Sequence, residues 1–128
     1  PEASVLLGRD ILTPQDMEGA IQDLCGLGCT NVLLKGGHLV GDSSEDLLYQ
    51  SQTDTVTRLS ALRINTPNSH GTGCTLSSAV CAFLARGVAL EAAVKNAKAY
   101  IQGALEAGAL YTTGKGHGPV HHFYDLWP

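Results

Sequence analysis

No stretch of this chain approaches the roughly 18 consecutive apolar residues that a membrane-spanning helix requires. Its start lacks a basic segment followed by an apolar one, so no secretory leader is expected there. The first residues are Pro1-Glu2-Ala3, without an initiator Met, and need not be the natural beginning. Basic charge is not in excess: 8 Lys and Arg stand against 12 Asp and Glu, a net charge of -4. That argues against a broad nucleic-acid footprint. It does not exclude a phosphate-binding enzyme, because backbone amides can supply local positive potential. A Cys-x-x-Cys pair and a full set of four zinc ligands are also missing. The 4 cysteines occur as Cys25/Cys29 and Cys74/Cys81 within apolar, helix-like stretches. Reduced thiols of a cytoplasmic protein are the expectation. No internal repeat is present. What remains is ordinary: 128 residues, 44% apolar and 16% charged, enough for one domain with a modest core.

Thr13-Pro14-Gln15-Asp16 reads as a helix start, with Thr13 as cap, Pro14 in the first turn and Asp16 as the capping-box acid. Met17, Ala20, Ile21 and Leu24 follow at helical spacing until Gly26 and Gly28. Asn31-Val32-Leu33-Leu34-Lys35 is short and apolar, the pattern of a strand covered on both faces. A helix followed by such a strand suggests half of a βαβ unit, hence an α/β fold. Residues 38–54 read as polar and turn-rich. Thr55-Val56-Thr57-Arg58-Leu59 alternates like a half-exposed strand, which Leu62-Arg63-Ile64 could continue. After a dense run of turn formers, Asn65 to Gly73, the spacing predicts a helix over 74–85. A second helix is predicted over about 90–107, with Leu90, Ala93, Val94, Ala97, Ile101, Ala104 and Leu105 inward and Glu91, Lys95 and Lys98 on its surface. Gly114 to Phe123 reads as a flexible Gly/Pro/His tail.

The chemistry concentrates in His70-Gly71-Thr72-Gly73-Cys74-Thr75. A helix start offers unpaired N–H groups and the positive end of the dipole. Gly71 and Gly73 let the backbone approach a ligand and turn sharply. Together they form a candidate anion hole for a transferring phosphoryl group; an ordinary Gly-rich helix start is the alternative. Cys74 stands where a helix dipole favours thiolate, able to take a proton from an attacking hydroxyl. An inert core role suits Cys25, Cys29 and Cys81 better. A phosphatase would need a nearby Arg, and the next is Arg86, about three turns along the helix. A cysteine protease would need a His partner, and nothing favours His121 or His122 for it. Gly108 to Lys115 resembles a Walker A loop only superficially, because Gly116 replaces its Ser/Thr. His117, His121 and His122 have no acidic or Cys partner, so a loop packed on a neighbour is preferred to a metal site. Lys35, at a strand end before Gly36-Gly37, is placed to offer a point charge to a phosphate or simply to be solvated.

Three blocks in this order, Val32-Leu33-Leu34-Lys35-Gly36-Gly37-His38, Asn68 to Ser77, and Gly116 to Phe123, resemble the hydroxymethylpyrimidine/phosphomethylpyrimidine kinases. These are a branch of the ribokinase-like kinases, and the resemblance runs the whole length from Pro1. It implies an α/β fold, part of a three-layer αβα sandwich, with residues 1–128 forming a carboxy-terminal, nucleotide-binding half. It implies ATP and Mg2+, and a small pyrimidine as substrate. By position, Cys74 would be the base, since Cys replaces the Asp that ribokinase-like enzymes generally carry there. The amides of Gly71, Thr72, Gly73 and Cys74 would hold charge on the γ-phosphate, and Lys35 would lie beside the nucleotide phosphates. Glu2 would match the Glu of the family's Asn-x-x-Glu motif, linked to magnesium. Ser69 departs from the family's usual Thr. The family's amino-terminal half, with the pyrimidine pocket, is not in this sequence, so a fragment without turnover of its own is expected. An uncovered sheet edge would invite self-association or complementation. Pyridoxal kinase activity and a non-catalytic nucleotide-binding module are the competing readings.

Overall fold

The computed structural model describes residues 1–127 of the 128. The chain divides into two compact units, Pro1–Arg63 and Ile64–Pro128.

The first unit holds helices α1 (Glu2–Leu7) and α2 (Pro14–Cys25) and strands β1 (Asn31–Leu34), β2 (Ser43–Gln50) and β3 (Thr55–Leu62). The α2 start follows its local code. The Thr13 hydroxyl accepts from the Asp16 amide at 3.1 Å, and the Asp16 carboxylate accepts from the Thr13 amide at 2.9 Å. This reciprocal pair satisfies two of the helix's orphan donors. The four spaced apolar residues, Met17, Ala20, Ile21 and Leu24, are all buried. They pack with Ile11, Leu34, Leu47 and Tyr49 into one core. Each large side chain there contributes about 2 kcal/mol by leaving water.

The three strands form an antiparallel sheet in the order β1-β2-β3, with Leu34 opposite Leu47 and Leu48 opposite Thr57. Two expectations change here. Strand β2 falls inside the stretch read as polar and turn-rich. Ser43, Ser44, Glu45 and Asp46 have weak strand preference, but pairing on both sides makes β2 the central strand, and Asp46 to Tyr49 are all buried. Strand β1 is not covered on both faces: Asn31 is exposed, and Val32 and Leu33 are half-buried. Its described partner is the antiparallel β2, and no parallel partner of the βαβ kind is among the described residues. β3 is half-exposed as expected and stops at Leu62.

Arg63, read as a possible strand continuation, instead staples the β1–β2 connection. Its guanidinium donates to the carbonyls of Gly41 at 2.7 Å, Gly37 at 2.8 Å and Leu39 at 2.6 Å. Gly36 is held from the other side: its amide donates to the buried Asp46 carboxylate at 3.0 Å. A Cβ at Gly36 would lie 2.1 Å from the Glu45 carbonyl oxygen, so no larger residue fits.

The second unit holds α3 (Thr72–Ala85) and α4 (Leu90–Gly108). The buried residues of α4 include Ala93, Val94, Ala97, Ile101 and Ala104, as its stripe predicts. Lys98, placed on the surface by the sequence, is 8% exposed. The buried stripe is wider than the apolar one, and a lysine's methylene stem can lie within it. The tail is also different from its prediction as flexible. The His70 amide donates to the Gly118 carbonyl at 3.0 Å and the His121 amide to the Ala104 carbonyl at 2.9 Å. Val120 is buried, and the Tyr124 ring fills the space a Cβ at Gly103 would need. Backbone hydrogen bonds and packing, invisible in composition, pin the segment.

Candidate phosphate-binding site

The site is built from the segment leading into α3. Asn68 is 3% exposed, and its side-chain amide donates to the carbonyls of Gly108 and Tyr111, both at 2.7 Å. Those carbonyls lie at the carboxy-terminal end of α4, where a helix leaves acceptors unpaired. A Cβ at Gly118 would approach Asn68 Oδ1 to 2.0 Å, so Gly118 makes room for this anchor. Two residues on, His70 pairs with Pro119 in a short parallel bridge. The chain therefore reaches Gly71 already fixed in direction.

Gly71 is the N-cap of α3 and takes a left-handed conformation, φ 83° and ψ 1°. A Cβ there would touch nothing within 4 Å, so the need for glycine is conformational, not spatial. No side chain caps the helix. The Thr72 amide donates to the Ser69 carbonyl at 3.3 Å, and the Thr75 amide to the Gly71 carbonyl at 2.8 Å. Among the described residues no acceptor meets the N–H groups of Gly71, Gly73 or Cys74. Three unsatisfied donors and the positive dipole end thus face the same region, the physical requirement for an anion site. Of the four amides expected to serve, Thr72 is the one engaged internally.

Cys74 is exposed and free, but Cys29 and Cys81 are exposed as well, so the core role expected of those two does not hold and exposure alone does not single out Cys74. It borders an open cavity of about 610 Å³ that also meets Thr75, Phe83, Arg86, Tyr100 and His122. The Thr75 hydroxyl and His122 Nε2 are 2.9 Å apart, and the Tyr100 hydroxyl donates to the His122 carbonyl at 2.8 Å. His122 so ties the first turn of α3 to the face of α4.

In the first unit, Glu2, Lys35 and His38 border one cavity of about 760 Å³ with an apolar wall that includes Ile11, Met17 and Leu34. Lys35 is exposed at the end of β1. A hydrogen bond from its own backbone, above all, holds the Glu2 carboxyl below the usual carboxylate range, with help from His38 and Lys35. Among the described residues no three His, Cys, Asp or Glu side chains gather as a metal cage. A magnesium ion held mainly by nucleotide phosphates needs only one or two protein carboxylates, and Glu2 has the right donor chemistry.

The expected site residues thus fall into two sets, Glu2 with Lys35 and residues 71–74. Sequence reasoning missed Asn68, Gly118, Asp46, Arg63 and His122 as supports. Asn68 and Gly118 do lie within the quoted sequence blocks, but their mutual fit spans fifty residues of chain and leaves no local signal.

An α/β chain whose helix start presents free amides beside a thiol has features that suit phosphate binding, and comparison with known proteins shows the family. The chain matches the phosphomethylpyrimidine kinase family over residues 1–121, and it belongs to that family. It is 46% identical over 98% of its length to a hydroxymethylpyrimidine/phosphomethylpyrimidine kinase of Rhizobium meliloti, of which it covers 47%. Among solved structures it resembles the ADP complex of Bacillus subtilis pyridoxal kinase, with TM-score 0.88 and 35% identity over 96% of this chain and 45% of that one. It also resembles a Staphylococcus aureus pyridoxal kinase in complex with AMP-PCP and pyridoxal, with TM-score 0.88 and 33% identity over 98% of this chain and 46% of that one. The chain spans about half the length of these relatives.

Proposed function

We propose that this chain supplies the phosphate-handling part of an ATP-dependent kinase acting on 4-amino-5-hydroxymethyl-2-methylpyrimidine and then on its monophosphate, in thiamine biosynthesis in the cytoplasm. The observation that carries this reading is the head of α3, where the free N–H groups of Gly71, Gly73 and Cys74 meet an exposed thiol. Complexes of the related pyridoxal kinases with ADP and AMP-PCP support a nucleotide as the ligand.

The substrate's hydroxymethyl oxygen attacks the γ-phosphorus while its proton passes to Cys74 Sγ. The bond from that phosphorus to the β,γ-bridging oxygen breaks, and ADP leaves. In the second round a phosphate oxygen of the monophosphate is the nucleophile. The amides of Gly71, Gly73 and Cys74 hold the charge that spreads over the equatorial oxygens, as loose phosphoryl transfer demands. Thr72 contributes through its hydroxyl, which donates to the Ser69 carbonyl at 2.6 Å and fixes the turn. By its place in the family motif, Lys35 meets the nucleotide phosphates, and Glu2 meets the magnesium that accompanies them. Magnesium would supply charge neutralisation.

The chain covers 47% of its Rhizobium meliloti relative, so turnover is tested with the rest of that relative supplied. The direct test mixes it with the separately produced amino-terminal half of the Rhizobium meliloti relative, MgATP and the pyrimidine, and follows ADP release and product mass. Restored pyrimidine phosphorylation, lost in Cys74→Ala, is the expected outcome. Phosphorylation of pyridoxal instead would move the assignment to the second activity that the structural relatives suggest. Nucleotide binding with no turnover on any mixture would leave a binding module and refute the kinase reading.

A further inference from the structure

The 4 cysteines do not behave as four equivalent thiols. Cys74 and Cys81 both lie on α3, and seven residues of helix separate them by about 10 Å, too far for a shared reaction. Cys25 and Cys29 are different. α2 ends at Cys25, and the chain then turns tightly, with the Leu27 amide donating to the Leu24 carbonyl at 3.2 Å and the Gly28 amide to the Cys25 carbonyl at 3.1 Å. Gly28 has φ 115°, which reverses the backbone and brings Cys29 back under the helix end. Each thiol then reaches the other's backbone: Cys25 Sγ lies 2.8 Å from the Cys29 carbonyl oxygen, and Cys29 Sγ lies 3.9 Å from that of Cys25. Cys29 Sγ is also 3.6 Å from the Leu24 carbonyl. Cys29 is exposed, whereas Cys25 is half-buried against the core.

We propose that Cys25 and Cys29 form an oxidative modification site that takes a hydroperoxide. The exposed Cys29 sulfur attacks one peroxide oxygen; the O–O bond breaks, Cys29 becomes a sulfenic acid, and the other oxygen leaves as water or alcohol. The Cys25 sulfur then attacks the Cys29 sulfur. The S–O bond breaks, an S–S bond forms, and the hydroxyl leaves as water with the Cys25 proton. Two thiols are oxidised by two electrons and the peroxide is reduced. Each sulfur lies against the other residue's carbonyl, which gathers the two side chains at one tight turn, and a disulfide needs such a close approach. The site is independent of the anion turn and of the kinase reading.

The test uses the whole chain with Cys74→Ser and Cys81→Ser, so that only this pair can react. Trypsin leaves Cys25 and Cys29 on one peptide, residues 10–35. After hydrogen peroxide that peptide should lose two hydrogens, remain monomeric and be restored by dithiothreitol. In the further variant Cys25→Ser the peptide should instead gain oxygen on Cys29. A second probe, phenylarsine oxide, should be held by the pair, with two As–S bonds formed and one water released, and lost when either Cys25 or Cys29 becomes Ser. Oxygen accumulating on Cys29 while Cys25 stays a free thiol, linkage between chains, or arsenical retention unchanged in Cys25→Ser would overturn the proposal.

Discussion

Helices α2 and α3 are similar in length and opposite in how they are held. Among the described residues α2 buries Met17, Ala20, Ile21 and Leu24, and both its capping-box bonds are made. α3, longer and richer in apolar residues, buries only Leu76 and has no side-chain cap. The first unit secures its helix through side-chain packing on a sheet. The second secures the start of its helix through backbone anchors, Asn68, Gly118 and the His70–Pro119 bridge, and leaves the head of α3 open. Gly73 and Cys74 are exposed, so water can meet these donors until an anion replaces it. The contrast therefore separates a helix held by packing from one whose head is left open, as the proposed phosphate site requires.

The comparison can be broken most forcefully at Gly36. Gly36→Ala drives a Cβ into the Glu45 carbonyl, where backbone has nowhere to go, and should cost about 3 kcal/mol or more. Hydrogen exchange should show protection lost in β1 and β2. Next comes a matched pair of truncations. Leu24→Ala on α2, at a residue 6% exposed, should cost about 3 kcal/mol in urea unfolding. Leu84→Ala on α3, at a residue 42% exposed, should stay within about 0.5 kcal/mol. Equal losses would dissolve the distinction between the helices. Asn68→Ala removes the donor to the Tyr111 carbonyl and one of two donors to the Gly108 carbonyl, whose other is the Tyr111 amide, and should cost about 2 kcal/mol, read as faster exchange in the last turn of α4. The smallest effect is acid sensitivity at the α2 start. Hydrogen bonds from the Thr13 side chain, then from the Leu12 and Thr13 amides, hold the Asp16 carboxyl below its ordinary range. A depressed folded value means stability that is present above the ordinary carboxylate pKa and lost as pH falls through the folded one. Asp16→Asn should flatten that acid limb of the stability–pH curve without changing the rest.

What could be read from the residues was local. The α2 capping box spans four positions, and the Gly71-Thr72-Gly73-Cys74 turn is contiguous, so both were visible without a fold. Strand β2 was hidden because Ser43 to Asp46 carry no strand signal of their own; their pairing with β1 and β3 supplies it. Lys98 was misassigned because charge was taken as a proxy for exposure. The tail's order, and the supporting roles of Asn68, Arg63 and His122, come from contacts between residues about 17 to 50 positions apart, which one sequence does not display.

The central claim is that the free amides at the head of α3 bind phosphate. Titrating the 15N-labelled chain with MgADP and with inorganic phosphate, and following amide shifts, tests it residue by residue. Saturable shifts centred on Gly71, Gly73 and Cys74, with the α2 amides still, are the result expected. Shifts that avoid those three amides, or none up to saturating nucleotide, would contradict the account.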